Sequence, residues 1–277
     1  MSAPETTQGR VGRWALNAYA VLGFVYLFVP IAVIVAFSFN QPAGKFNIVW
    51  QSFTLDNWAD PFAPGPLMDA MVVSIKIALV AAGGSTVLGT LIALALVRYR
   101  FKGGKIVDLL LVLPLTAPEI VLGASLLSLF LDAGVQRGFW TIAIAHVLFC
   151  TSFVALTVKA RIRGFDWTLE DAAMDLGAPP WRTFRKVTLP LITPGIIAAA
   201  LLSFALSIDD FIITFFNAGS TETFPLRIFG ASRTEISPQI NVLATVILLA
   251  SVGVMVAGVA LRAAIEGRTL RRSKRQA

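Results

Sequence analysis

The stretch EDAAMDLGAPPWRTFRKVTLP, Glu170–Pro190, decides how this chain is read. It crowds acids, bases, a glycine and prolines into a sequence that is otherwise overwhelmingly apolar. Of 277 residues, 56% are hydrophobic and 14% are charged, whereas a soluble domain carries about 25% charged residues. Mean hydropathy is +0.76. Such a chain belongs in a bilayer, and Glu170–Pro190 is a polar island between apolar runs. Its purpose is the question of function.

Working outward from the island, six apolar runs are long enough to span a membrane, which takes about 20 residues each. They are Ala15–Phe37, Met71–Leu96, Ile106–Leu131, Trp140–Val158, Leu191–Phe216 and Ile240–Leu261. The expected fold is all-α, a polytopic membrane protein of six transmembrane helices, with residues 1–277 forming one transmembrane domain. Positive charge alternates between the connections. Arg10 and Arg13 precede the first span, while Arg98, Arg100, Lys102 and Lys105 follow the second. Lys159, Arg161, Arg163, Arg182, Arg185 and Lys186 fill the fourth connection, and six more bases close the tail. The opposite connections hold few. The positive-inside rule therefore predicts that both termini and the 164–190 loop are cytoplasmic. The net charge of +7 is topological, which removes the case for nucleic acid.

Other features bound the reading further. The lone Cys150 permits no intrachain disulfide and suggests no cysteine metal site. The first run could be a signal peptide, with Ala36–Ser38 as cleavage site, but it exceeds an ordinary h-region and a retained helix is expected. Residues 40–66 have room for a short external helix or a hairpin, without deciding which.

Within the island, Thr168 with Asp171 predicts an N-cap and a shortened capping box. Glu170 and Asp171 would lie in the first turn, where the helix dipole favours acids. Leu169, Ala172, Ala173 and Leu176 share one face, and Gly177 is placed to end the helix. Pro179 and Pro180 restart the chain as a second helix, on which Trp181 and Phe184 can meet. Small alanines let another surface approach closely, and flanking acids can fix its orientation. The first helix is expected to be a docking peg for a cytoplasmic partner, with an ordinary amphipathic interfacial loop as the alternative reading.

Asp171-Ala172-Ala173, three residues, Gly177, nine residues, then Val187-Thr188-Leu189-Pro190 resembles the EAA loop of bacterial ABC importer permeases. Ala117–Phe130, Ala145–Ile162, Ser203–Phe216 and Ser237–Thr245 are similar to the second permease of spermidine/putrescine importers, with Gln239 replacing an expected glutamate. The resemblance implies a type I (MetI-like) permease bundle in a bacterial inner membrane. It implies that Glu170, Asp171, Ala172, Ala173, Leu176 and Gly177 couple the chain to a cytoplasmic ATPase present in two copies. A second, different permease and a periplasmic solute-binding protein complete the implied assembly. ATP and Mg would sit in the ATPase, with no cofactor in this chain. The solute would be small and cationic, such as putrescine or spermidine.

Carboxylates inside spans are costly, about 2.5–3.5 kcal/mol on insertion scales, and usually face a cavity or partner. Glu119 lies about 13 residues into the third run, near mid-membrane at about 1.5 Å per residue. Pro114 and Pro118 precede it, so an interrupted helix is expected, with Thr116 and Glu119 capping its restart. Asp209 and Asp210 lie late in the fifth run. As adjacent helical residues they point about 100° apart, so both are not expected at one site. Glu119, Asp209, Asp210 and Phe211 are the candidates for the translocation pathway or its gate; each has a capping or packing alternative. His146 is expected to be a hydrogen-bonded interior residue.

Competing classes find less support. Gly103-Gly104-Lys105 lacks the remaining elements of a P-loop, and neither H-E-x-x-H nor G-x-S-x-G occurs. An ion-coupled secondary transporter would be expected to repeat its broken helix, and only the third run carries that pattern.

Overall fold

A bilayer core offers no water to unpaired N–H and C=O groups, so a spanning segment must satisfy its backbone internally. The computed structural model, which describes residues 7–63, 65–99, 102–250 and 252–253, is accordingly helical through its apolar runs. The helices are α1 (Thr7–Phe37), α2 (Pro66–Arg98), α3 (Gly104–Thr116), α4 (Glu119–Asp132), α5 (Phe139–Arg163) and α6 (Thr168–Asp175). They continue as α7 (Pro180–Asp209), α8 (Ile212–Asn217), α9 (Phe224–Ala231) and α10 (Pro238–Ala250). Among the described residues, four helices are long and apolar enough to cross a membrane, and a fifth span forms if the α3–α4 pair counts as one. The sixth predicted span, Ile240–Leu261, begins as α10 and otherwise lies outside the described residues, apart from Val252 and Gly253.

Two predicted spans are broken. Helices α3 and α4 meet at 108°. Ala117, forced from helical geometry by the proline after it, is extended at φ −72°, ψ 139°. The fifth run stops where Asp210 turns extended at ψ 122° and resumes as α8, in keeping with the capping alternative for Asp210. The broken helix is therefore repeated, contrary to expectation.

The chain forms two compact units, one of residues up to Ala63 and from Ala231 on, the other of the residues between. In the first unit α1 leaves its apolar side chains exposed, Tyr19, Leu22 and Tyr26 among them, as a lipid-facing helix requires. The connection after it is neither hairpin nor long helix. It is a loop with one short 3₁₀ turn, Asp56–Trp58, tied by buried asparagines. Asn40 donates to Asn47 Oδ1 (2.7 Å) and the Val49 carbonyl (2.9 Å), while Asn57 donates to the carbonyls of Ser38 and Asn40. Backbone bonds between Asn47, Lys45 and Ile236 join this loop to the approach to α10.

In the second unit α2, α5 and α7 pack around Ala93, Val154, Val158, Ile162, Ile192 and Ala199. Hydrocarbon gives no hydrophobic drive for this, so close approach through small residues and buried polar bonds must do it. Ser85 and Ser203 share a 2.7 Å hydroxyl bond between α2 and α7. At Gly89 a Cβ would lie 2.7 Å from Val154 Cβ and 2.9 Å from the Ala155 nitrogen. A Gly89→Val substitution should therefore cost about 1–3 kcal/mol by overpacking. Gly83→Ala, with open space around it, should be neutral or stabilising. Unfolding of the detergent-solubilised variants in SDS measures both.

Candidate functional site

Helix α6 owes its ends to two side-chain and backbone devices. At its start Asp166 Oδ1 accepts from the Thr168 N–H (3.1 Å) and hydroxyl (2.8 Å). The cap is thus Asp166 and not Thr168: Trp167 already has helical dihedrals, φ −68° and ψ −18°, which moves the first turn back. At its end Gly177 takes φ +83°. The Gly177 N–H bonds the Met174 carbonyl (2.8 Å) and Ala178 N–H the Ala173 carbonyl (3.1 Å), the Schellman arrangement. Gly177 ends the helix as expected.

The two faces of α6 differ sharply. Asp171 and Ala172 are exposed, Ala173 is half-buried, and Leu176 is 91% exposed. Glu170, grouped with them by sequence, turns the other way and is 3% exposed, since the next helical position is about 100° round. Its carboxylate faces Arg98, whose Nη1 lies 2.9 Å from Oε2 and donates to Oε1 at 3.1 Å. The Thr188 hydroxyl also donates to it. Beyond α6, Trp181 and Phe184 stack at 5.7 Å. The first turns of α7 widen over Phe184–Thr188 into a π turn, closed by Leu189 N–H to the Phe184 carbonyl. Pro190 follows, and a proline cannot continue the ordinary hydrogen-bond ladder. Lys159, one of the topological charges, is buried against Asp108 of α3.

The second cluster joins both helix breaks. Glu119 is the first residue of α4 and is exposed. Thr116 does not cap it; that hydroxyl donates back to the Leu113 (3.1 Å) and Val112 (3.3 Å) carbonyls. Gly123 lets α4 meet α8 closely, where a Cβ would lie 2.8 Å from the Phe216 ring and 3.3 Å from Ile213 Cα. This crossing brings the Glu119 charge into the field of Asp209 and Asp210. As expected, the two aspartates part: Asp209 is exposed and Asp210 buried. Asp210 Oδ2 accepts from the Thr214 N–H (2.9 Å) and hydroxyl (3.0 Å), repairing the start of α8. His146 is interior, with Nε2 3.1 Å from Asp210 and Nδ1 2.7 Å from Ser207. The same Nε2 lies 2.9 Å from the Thr214 hydroxyl. Phe211 is half-buried against Phe229 (4.8 Å) and Phe215 (5.6 Å).

The sequence was silent on Arg98, Thr188 and Thr214. Arg98 had been counted only as a flanking charge, and its partner lies 72 positions away.

Residues 85–271 match the family described as binding-protein-dependent transport system inner membrane component. The chain belongs to that family. The permease is 38% identical over 241 residues to the spermidine/putrescine transport system permease protein PotC of Haemophilus influenzae, covering 87% of this chain and 93% of that one. It is 39% identical over 236 residues to the putrescine transport system permease protein PotI of Escherichia coli, covering 82% and 83%. A bacterial ABC transporter that imports the acidic polysaccharide alginate shares the permease's fold, with TM-score 0.70 over 94% of this chain at 14% identity.

The geometry separates fold from pathway among the permease's acids. Asp210→Ala should leave the start of α8 without its acceptor and His146 Nε2 with the Thr214 hydroxyl as its remaining partner, costing about 1–3 kcal/mol. Asp209→Asn should change stability by less than about 0.5 kcal/mol. Thermal unfolding of the two purified variants measures the contrast.

Proposed function

We propose that this permease subunit moves a small cationic solute, putrescine or spermidine, using force from a separate ATPase that docks on α6. The observation carrying the docking reading is the outward face of that helix. Leucine 91% exposed beside alanines, on a helix fixed at both ends, is apolar surface suited to a partner's groove. Asp171, Ala172, Ala173, Leu176 and Gly177 form that contact; Glu170 stands behind it.

Two ATPase copies hold ATP and Mg, since this sequence carries no P-loop. ATP-driven closure draws the coupling helices of two different permeases together and turns their spans outward. A periplasmic binding protein then releases solute into the cavity, and hydrolysis resets the assembly. The permease lies in a bacterial inner membrane with both termini cytoplasmic.

The polyamine reading is supported by the names of the relatives and by the chemistry of the break region. Glu119 and Asp209 offer carboxylates to ammonium groups, and Phe211 offers an aromatic face. Asp210, already engaged with His146 and Thr214, holds the break in shape. The repeated broken helix also suits an ion-coupled transporter, but family membership and the α6 face favour ATP.

Ala173→Arg sets a bulky charge against the groove. It should reduce uptake of labelled putrescine tenfold or more, the equivalent of about 1.4 kcal/mol or more of docking energy, while membrane insertion persists. Undiminished uptake in cells carrying the variant contradicts the docking assignment.

A further inference from the structure

Helix α6 has eight residues, too few to be stable as a helix by itself in water. The chain enters it after Gly164 and leaves it at Gly177. A push on its exposed face would merely tilt it unless a firm connection joins it to the spans.

The buried side of the helix holds that connection. Glu170 meets Arg98, the last residue of α2, through both carboxylate oxygens. It also accepts from Thr188, fully buried, at the end of the π turn in α7. The Arg98 guanidinium lies 5.7 Å from the Trp167 ring centre, and Trp167 with Phe165 packs on the α2–α5–α7 core. Charge-assisted bonds are short and directional, and a buried carboxylate released from its partners would be left unpaired. The group therefore moves as one body.

We propose that Arg98, Glu170 and Thr188 are positioning residues forming a transmission clamp, which carries displacement of α6 into α2 and α7. The inference rests on the docking role of α6. A clamp that only stabilised the fold would leave the coupling of assembled complexes unchanged.

The test uses the whole importer in proteoliposomes, with its binding protein supplied with putrescine or spermidine. ATPase subunits retained by the permease report docking. The stimulation of ATP hydrolysis by loaded binding protein reports transmission. Glu170→Gln and Thr188→Val should retain the ATPase yet lose stimulation by about fivefold or more. The reversed pair Arg98→Glu with Glu170→Arg should recover part of what each single reversal loses. Normal stimulation in retained complexes overturns the clamp. If Glu170→Gln does not assemble, Thr188→Val, which keeps the ion pair, decides on the same scale. Retention of the ATPase by Ala173→Arg would instead overturn docking, a separate failure.

Discussion

The structure depends on one constraint: in hydrocarbon, a backbone N–H or C=O left open costs several kcal/mol. Long helices meet it without help. The two places where the chain breaks its helices, at Ala117–Pro118 and at Asp210–Phe211, must meet it with something else. At the second break the remedy is visible: Asp210 serves the opening N–H groups of α8, and His146, Ser207 and Thr214 complete the network. Exposed carboxylates at Glu119 and Asp209 stand beside that repaired backbone. Irregular backbone at membrane depth is tolerated where it is buried in protein or lines a cavity, and solute sites are commonly built there.

The same economy governs helix α6. A short helix gains orientation from its neighbours more than from its own hydrogen bonds. Asp166 and Gly177 set where α6 starts and stops, and Glu170 sets how it is turned. Leu176 and the alanines can then be offered outward without the helix rolling to bury them. Packing inside the second unit is equally direct, with Gly89 against Val154 and Ser85 against Ser203.

Much of this was legible from residues alone, and the failures have physical causes. Proline spacing exposed the α3–α4 break because proline acts on its immediate neighbours. The break at Asp210 has no proline; the capping alternative marks its place, while the His146 partner on α5 is beyond local reading. Gly177 was readable since a left-handed C-cap favours glycine. The Thr168 cap failed by two residues because Trp167 is already helical, and Asp166 accepts from the Thr168 N–H at that earlier start. Glu170 and Asp171 look equivalent in sequence, yet one step of helix separates a buried ion pair from an exposed face. Lys159 and Arg98 count in sequence only as flanking charges, yet both have partners that charge counting does not reveal.

The most direct test of the central claim is native mass spectrometry of the permease purified after co-expression with its genomic neighbours. An ATP-driven importer predicts this chain with a second permease and two ATPase copies. A chain that purifies alone, and takes up solute into liposomes under an ion gradient without ATP, would contradict the account.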